Sequence, residues 1–442
     1  MLLTIEKLIY GGDGLSRLPG DDRGRGKAAF VPFTLAGEKI EASLTEQKSG
    51  FARAKVDAVI EPSPHRIQPA CQYFARCGGC HYQHTSYEHQ LAIKQAILRE
   101  TLRRVAKLEL PGEIEVHPSP PWNYRNRSRL QVRASPHFAV GYFKLASHDL
   151  LPVEECPISS PLINRGIAAL WQSGRAGKVP AGVREVEFFA SADDSTMLVD
   201  LRCTHEARRA AIRSWIEDLR AALPEVVGAV AFRETEHNSD AAEKLFSDGA
   251  QFLTYHTKCG DYRVSAGAFF QVNRHLTDEL VKIVTQDQSG GLALDLYAGV
   301  GLFSTALGGF KRVISVESSQ TSAADLAYNQ PANGKAVQAT AEQYLARAGS
   351  FEESGQTRKD ADLDSKPGFV VVDPPRSGLG ERVARSLAAL GAARVTYVSC
   401  DPATLARDLV ILLAAGYRVE HAHLVDLFPQ TYHLESVIQL TR

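Results

Sequence analysis

The chain has 442 residues, 44% hydrophobic and 23% charged, a composition that predicts a globular protein of two or three domains. No apolar run is long enough to cross a bilayer, and the N-terminal segment MLLTIEKLIYGGDG is unlike a signal peptide, so we expect a cytoplasmic protein and a monomer. A net charge of −1 excludes a uniformly basic nucleic-acid binder, although it leaves room for a local basic patch.

Residues 1–62 read as short strands separated by glycines, which favours a small β-barrel of the OB type. Within them GDDRGRGK (residues 20–27) is expected to form a basic hairpin loop. The Pro62–His65 run interrupts the pattern and marks a domain edge.

Residues 63–265 give a mixed α+β pattern that predicts a central domain. A helix is expected at about residues 86–107 and another at about 206–222, with strands such as RLQVRA, HFAVGYF and VEFFAS around them. Three of the seven cysteines, Cys71, Cys77 and Cys80, cluster at the start of this region. In a cytosolic chain such clustering indicates a metal or iron–sulfur site rather than disulfides.

Residues 266–442 alternate short apolar strands with helices, which predicts a doubly wound α/β domain. The polar stretch GSFEESGQTRKDADLDSKPG (residues 349–368) is expected to be an exposed loop without chemistry.

The first strand of this domain runs into a glycine turn at Gly299 and Gly301, where the backbone can approach a ligand. The next strand ends at Glu317, whose carboxylate can accept both ribose hydroxyls of a nucleoside. Position 304 is serine, where a dinucleotide fingerprint would have its third glycine. The turn therefore suits S-adenosylmethionine at least as well as NAD. Asp373, in Asp-Pro-Pro-Arg, ends a further strand at the same sheet edge and can face a planar base.

Cys400 follows another apolar strand and precedes a helix that begins at Pro402. A helix N-terminus beside a thiol is expected to lower its pKa, so Cys400 is the candidate nucleophile. Glu435, in FPQTYHLE, is the candidate general base, and His433 is a second candidate with a neighbouring or structural role.

Five segments together resemble the RNA (uracil-5-)-methyltransferase family, which includes tRNA and 23S rRNA enzymes: Cys71-x5-Cys77-x2-Cys80, DLYAGVG, DPPRSG, SCDPATLARD and FPQTYHLE. The resemblance covers the whole chain and implies a TRAM-like barrel at residues 1–62. It implies that S-adenosylmethionine is the cofactor and that Cys400 adds to C6 of the uracil while Glu435 removes the C5 proton. The cofactor contacts that it implies are Gln271, Tyr297, Glu317 and Asp373. Leu302 stands where relatives often have a polar residue, and Thr340 is a weaker candidate contact.

By spacing alone the cysteine cluster fits zinc as well as iron–sulfur, with His81 and His84 as alternative ligands. The resemblance implies a [4Fe–4S] cluster and a fourth ligand at Cys156. Cys203 and Cys259 receive no role.

Aromatic and basic residues interleave from Trp122 to Arg133, a composition suited to phosphates and unstacked bases. Arg125, Arg127 and Phe269 are the predicted RNA contacts, and basic residues of the helix at 86–107, among them Lys94, would extend the patch. The target uridine must leave any stack to reach Cys400, so a loop in 23S rRNA or in tRNA is the expected substrate.

Three rival functions differ in the features that they leave unexplained. A non-catalytic iron–sulfur RNA-binding protein would have no use for Cys400 and Glu435. A cytosine-C5 methyltransferase would normally have proline before the nucleophile, where this chain has Ser399. An NAD-dependent oxidoreductase would have the third glycine.

Overall fold

The computed structural model describes residues 1–20, 26–235, 238–349 and 366–442. The basic hairpin loop predicted at residues 20–27 and the loop predicted at 349–368 fall largely outside the described residues, so neither prediction is tested. Within the described ranges, no helix combines the length and the apolar character needed to cross a membrane.

The N-terminal segment forms one six-stranded sheet in the order β1-β5-β6-β4-β3-β2, in which only β4 and β6 pair parallel. Alternating residues such as Leu3, Val31 and Ile40 bury one face of this sheet. The curled sheet is compatible with the predicted barrel. Its strands are β1 (Leu2–Thr4), β2 (Lys7–Leu8), β3 (Asp13–Arg17), β4 (Ala28–Pro32), β5 (Lys39–Gln47) and β6 (Phe51–Glu61).

The cysteine-rich loop leads into α1 (Tyr87–Thr101), which agrees with the helix predicted there. Ser86 caps α1 by accepting a hydrogen bond from the backbone N–H of His89, and a π-helical turn, Leu102–Ala106, extends the helix. The strand β7 (Glu115–His117) follows. Both α1 and β7 contact the C-terminal sheet and its helices, so part of the segment predicted as the central domain contributes to the C-terminal core.

The central sheet has seven strands in the order β10-β9-β8-β11-β12-β13-β14, with α2 and α3 packed against it. The helix predicted at 206–222 is α3. The elements are β8 (Arg127–Arg133), β9 (Ala139–Phe143), β10 (Leu150–Pro152), α2 (Pro161–Arg175), β11 (Val183–Ala190), β12 (Met197–Cys203), α3 (Arg209–Ala222), β13 (Val226–Thr235) and β14 (Asn238–Gly249), followed by a hairpin of β15 (Phe252–Thr257) and β16 (Gly260–Ser265).

The C-terminal sheet has eight strands in the order β19-β18-β17-β20-β21-β23-β22-β7. Strands β17 to β21 pair parallel, and β23 enters antiparallel between β21 and β22. This is the predicted α/β domain. Its elements are α4 (Thr277–Thr285), β17 (Gly290–Leu296), a 3-10 turn (Ser304–Ala306), β18 (Phe310–Glu317), α5 (Gln320–Asn329), β19 (Gly334–Gln338), α6 (Ala341–Gly349), β20 (Phe369–Val372), α7 (Gly380–Leu390), β21 (Arg394–Ser399), α8 (Pro402–Ala414), β22 (Arg418–Val425) and β23 (Glu435–Thr441).

The parallel strands β17, β18, β20 and β21 all end at one edge of this sheet, where ligands of open α/β folds bind. Tyr297, Glu317, Asp373 and Cys400 each lie at or directly after one of these strand ends. The topology therefore brings residues from positions far apart in the chain to one edge.

Candidate active site

A glycine turn follows β17 and forms one wall of a pocket. Tyr297 has a φ of 63° and Gly299 a φ of 57°, so the chain reverses sharply as it leaves the strand. A non-glycine residue in this conformation stores strain, which is a common feature of ligand-binding turns. The backbone N–H of Gly299 donates to Oε2 of Glu317 across 2.9 Å, which places the predicted ribose acid beside the turn.

Of the predicted cofactor residues, Gln271, Tyr297, Gly299 and Asp373 line one pocket. The remaining one, Glu317, adjoins the pocket through Gly299. Leu302 also lines the pocket, but its buried aliphatic side chain offers no polar contact. Thr340 is absent from the lining, and its hydroxyl accepts a hydrogen bond from the N–H of Gln343 at the start of α6 (3.1 Å). The pocket is lined by Phe269, Phe270, Gln271, Tyr297, Ala298, Gly299, Val300, Leu302, Phe303 and Asp373.

Two neighbouring carboxyl groups lie beside this pocket. Burial raises the pKa of Asp295 to about 7, and Oδ1 of this residue is buried without a hydrogen-bond partner among the described residues. Burial and then the Asp295 carboxyl raise the pKa of Asp373 to about 7 as well. Asp295 had been assigned no role from the sequence. The signal that could have identified it was its place at the end of the first strand, directly before the glycine turn.

Cys400 and Glu435 lie opposite one another. The strands β21 and β23 run antiparallel with Ser399 paired to Ser436, so the next position in register places Cys400 across from Glu435. The hydroxyl of Ser436 donates to the carbonyl of Ser399 across 3.2 Å and fixes this end of the pair. The fold thus unites two residues that are 35 positions apart in the sequence.

The expectation that the helix N-terminus lowers the pKa of Cys400 is wrong for the free protein. Asp401 caps α8, and its carboxylate accepts hydrogen bonds from the backbone N–H groups of Ala403 (2.9 Å) and Thr404 (3.0 Å). These donors are therefore not available to the thiol. Burial, followed by the carboxyl groups of Glu435 and Asp373, raises the pKa of the Cys400 thiol to about 12, and Arg376 opposes this effect.

Glu435 is buried, with 4% of its surface exposed. Burial and the Asp373 carboxyl hold its pKa well above the ordinary range, and Arg376 again acts in the opposite direction. The guanidinium of Arg376 lies 3.3 Å from Nε2 of His433. Burial and this cation lower the pKa of His433 to about 3, so the imidazole is neutral at pH 7 and suits a neighbouring rather than a basic role.

The segment that leads to Glu435, residues 426–434, is held by α1 and by the cysteine-rich loop. Lys94 Nζ contacts Oδ1 of Asp426 (2.6 Å) and the carbonyl of Phe428 (2.9 Å). Gln90 and Gln430 exchange two hydrogen bonds of 2.9 Å, one between their side chains and one from the backbone N–H of Gln430. Lys94 is fully buried, so its predicted place in an RNA-binding patch is wrong. The sequence had not indicated that α1 contacts this segment.

The N-terminal sheet also reaches this region. The hydroxyl of Tyr10 donates to the backbone carbonyl of Cys400 across 3.0 Å, and its ring packs edge-on against Tyr432 at 5.5 Å. The backbone N–H groups of His81 and Tyr82, just after Cys80, both donate to the carbonyl of Gln430. The N-terminal sheet thus contacts the candidate nucleophile, and the cysteine-rich loop contacts the segment that leads to the candidate base.

The four predicted cluster ligands, Cys71, Cys77, Cys80 and Cys156, line one cavity of about 580 Å³ between the cysteine-rich loop and the central sheet. Burial raises the pKa of Cys77 to about 11, and Cys156 and then Cys71 add to this effect, so the sulfurs are close neighbours. In the part of the chain that the structure describes, no three of these sulfurs lie within 4.8 Å of one another. Tetrahedral zinc would place them about 3.8 Å apart. His81 and His84 do not line the cavity.

The three predicted RNA contacts lie in different settings. Phe269 is 62% exposed at the rim of the cofactor pocket, and Arg125 is half-buried and lines the cysteine cavity. Arg127 contacts Glu187 (2.6 Å) and the carbonyl of Ala268, and it stacks on a buried ring. Its guanidinium is therefore engaged within the protein.

A family model described as tRNA (Uracil-5-)-methyltransferase matches residues 86–442. An uncharacterized RNA methyltransferase of Aquifex aeolicus (strain VF5) is 33% identical, covering 99% of this chain and 97% of that protein. The 23S rRNA (uracil(1939)-C(5))-methyltransferase RlmD of Pseudomonas fluorescens (strain Pf0-1) is also 33% identical, covering 98% of this chain and 90% of that protein.

The crystal structure of Pyrococcus abyssi tRNA (uracil-54, C5)-methyltransferase in complex with S-adenosyl-L-homocysteine superposes with a TM-score of 0.74 at 22% identity, and covers 100% of both chains. This likeness shows that the two proteins share a fold along their whole length. The family match and the two relatives confirm the prediction of an RNA (uracil-5-)-methyltransferase, and the chain belongs to the tRNA (uracil-5-)-methyltransferase family.

Proposed function

We propose that this protein transfers a methyl group from S-adenosylmethionine to C5 of a uridine in RNA, with 23S rRNA as the first candidate substrate and tRNA as the second. The arrangement of Cys400 opposite Glu435, at the sheet edge that also carries Tyr297 and Asp373, is the observation on which the proposal depends. The 23S rRNA assignment rests on the name and 33% identity of the Pseudomonas fluorescens relative.

The reaction needs a nucleophile because C5 of uracil does not attack the donor methyl group unaided. The Cys400 thiolate adds to C6, and the electron pair of the C5–C6 double bond moves into an enolate. C5 then attacks the methyl group, and S-adenosylhomocysteine leaves. Glu435 takes the C5 proton, the double bond reforms, and the thiolate is expelled.

The raised pKa values of Cys400 and Glu435 affect the two proton transfers of this cycle. The thiol of Cys400 is protonated in the free enzyme, since its pKa is about 12. The thiol must therefore release its proton to solvent before the sulfur adds to C6. The raised pKa of Glu435 makes its carboxylate, once formed, a stronger base for the C5 proton than an exposed glutamate would be.

The cofactor would be held by the pocket between the glycine turn and β20. We assign Glu317 to the ribose hydroxyls, because its carboxylate lies at the turn beside Gly299. Gln271, Tyr297 and Asp373 would contact the remainder of the cofactor. For RNA we propose Arg125 and Phe269 as contacts and leave out Arg127, whose guanidinium is engaged within the protein.

We assign a [4Fe–4S] cluster to Cys71, Cys77, Cys80 and Cys156. The four thiols around one cavity fit such a cluster, which cysteine thiolates hold. When bound, the cluster would supply a rigid cross-link between the cysteine-rich loop and the central sheet. The methyl transfer needs no redox step.

We further propose a function for each of the three regions of the chain. Residues 1–62 would form a TRAM-like RNA-binding barrel and residues 266–442 the methyltransferase domain. Residues 63–265 would carry the cluster and also contribute α1 and β7 to the C-terminal core.

RNA that contains 5-fluorouridine tests the proposal. Fluorine at C5 cannot be removed as a proton, so a covalent protein–RNA adduct should accumulate with S-adenosylmethionine present. The adduct should form with the wild type and not with Cys400→Ala, while Cys259→Ala, at an exposed cysteine, should behave as the wild type. Absence of an adduct with both rRNA and tRNA, or an equal adduct with Cys400→Ala, would overturn the proposal.

A further inference from the structure

A group of histidine and glutamate side chains, of types that can bind a metal, lies on the C-terminal sheet, away from the cysteines. The edge strand β7 pairs parallel with β22 so that Glu115 is opposite His423. Because side chains alternate along a strand, Glu115 and His117 share a face, and so do His421 and His423. The pairing brings three imidazoles and a carboxylate together on one face of the sheet.

The ligand atoms of Glu115, His117 and His423 all lie within 4.8 Å of one another. Nε2 of His117 is 3.2 Å from Nδ1 of His423, and Oε2 of Glu115 is 3.5 Å from the same nitrogen. Around tetrahedral zinc, with bonds of about 2.0–2.1 Å, ligand atoms are about 3.3 Å apart. Both distances therefore suit three corners of one metal coordination sphere.

The surroundings of His117 add an independent observation. Its other ring nitrogen, Nδ1, lies 3.1 Å from Oε1 of Glu279 on α4. A metal-binding histidine commonly donates its remaining N–H to a carboxylate, which fixes the tautomer and orients the ring. Glu279 would hold the Nε2 lone pair of His117 toward Glu115 and His423.

His423 is 7% exposed, and its Nε2 is buried without a hydrogen-bond partner among the described residues. Among the described residues, the polar contacts of its ring are thus on the Nδ1 side, toward Glu115 and His117. Nδ1 is therefore the ring nitrogen that would bind the metal, and Nε2 would carry the ring proton.

We propose that Glu115, His117 and His423 form a binding site for a divalent transition metal, with zinc as the expected occupant. Two imidazole nitrogens and one carboxylate form a ligand set that zinc accepts, with water completing the coordination. Glu279 is the positioning residue. The metal would fasten the three-residue strand β7 to β22, directly before the segment that leads to Glu435.

Isothermal titration of the full-length, iron-loaded protein with zinc chloride tests the site. The wild type should bind one more equivalent than the double variant His117→Gln/His423→Gln, since zinc bound by cysteines is common to both titrations. His256→Gln, at an exposed histidine of the β15–β16 hairpin, should bind as the wild type does. Zinc should raise the melting temperature of the wild type and of His256→Gln only.

Glu279→Gln keeps the three ligands and should weaken zinc binding about ten- to a hundredfold. This single variant also provides the test if the double variant fails to fold. The site would be overturned if the wild type and the double variant bind equal amounts of zinc. If the double variant cannot be prepared, an unchanged zinc affinity in Glu279→Gln would overturn it.

Discussion

Lys94 Nζ and Asp426 Oδ1 lie 2.6 Å apart in an ion pair whose two side chains are both fully buried. The pair joins α1 to the segment that leads to Glu435, across 332 positions of sequence. It also neutralises a charge that the interior would otherwise leave uncompensated, because neither partner reaches water.

We predict that Lys94→Met destabilises the protein by about 3–5 kcal/mol, since Asp426 is then buried without its cation. Lys94→Met together with Asp426→Leu should recover most of this loss. The exposed pair Lys39–Glu61 supplies the control, and Lys39→Met should cost at most about 1 kcal/mol. Denaturant melts of the wild type and the three variants measure these free energies of unfolding. A Lys94→Met cost equal to that of Lys39→Met would contradict the role assigned to the pair.

A second prediction concerns the carboxylate opposite Cys400. Glu435→Gln should still form the bond from sulfur to C6 and accept the methyl group, but it cannot remove the C5 proton. Turnover on RNA with ordinary uridine should fall about 10²–10⁴-fold. A methylated covalent complex should accumulate, visible as a protein–RNA band that carries label from the methyl group.

Glu420→Gln is the matched control, because Glu420 lies exposed on the neighbouring strand β22. It should turn over normally and accumulate no complex. Normal turnover by Glu435→Gln would assign the C5 proton to another base.

A third prediction follows from the raised pKa of Cys400. Below a pKa of about 12 the thiolate fraction rises about tenfold per pH unit, so alkylation of Cys400 by iodoacetamide should keep rising from pH 7 to pH 10 without a plateau. Arg376 lowers this pKa, and Arg376→Gln should therefore slow alkylation several-fold at each pH. Arg382→Gln, at an exposed arginine, should leave the rate unchanged. A plateau near pH 8.5 would mean an ordinary thiol. Peptide mass spectrometry gives the rates.

Residues at strand ends could be predicted from the sequence because each stands beside a local signal. Tyr297, Glu317, Asp373 and Cys400 follow apolar runs that read as strands, and parallel strands bring such ends to one edge. The α/β order of the C-terminal domain could be predicted for the same reason.

Properties that depend on distant partners could not be predicted. Lys94 lies on a helix with the spacing of a solvated face, and only the fold places Asp426 beside it. The direction of the Cys400 pKa shift depends on Asp373 and Glu435, which come from two other strands, and on Asp401 occupying the helix N-terminus. Likewise, β7 is too short to recognise from three residues, so its place in the C-terminal sheet was not foreseen.

A fourth prediction separates the cysteines into ligands and bystanders. Cys156→Ser should lose the iron and the brown colour, with absorbance at about 400 nm, because one of four thiolates is gone. Cys203→Ser, at a buried cysteine outside the cavity, should retain both. Iron analysis and absorbance spectra of proteins purified without oxygen provide the measurement. A colourless wild type loaded with zinc would defeat the cluster assignment.

The last prediction uses the buried carboxyl of Asp295. Its pKa is 3.8 for an ordinary carboxyl and about 7 in the folded protein, because burial disfavours the charged form. Between these values the folded state binds the proton and the unfolded state does not, so the contribution of Asp295 to stability falls as the pH rises from 4 to 7. Asp295→Asn removes the ionisation while its side-chain oxygen can still accept the hydrogen bond from Ser304.

The melting temperature of Asp295→Asn should therefore exceed that of the wild type by a few degrees at pH 8 and by clearly less at pH 5, where only part of the loss has occurred. Asp278→Asn, at a partly exposed position at the start of α4, is the control for the loss of a carboxylate. Differential scanning calorimetry at the two pH values decides the outcome. An equal shift at pH 5 and pH 8 would mean that packing, rather than the buried charge, sets the effect.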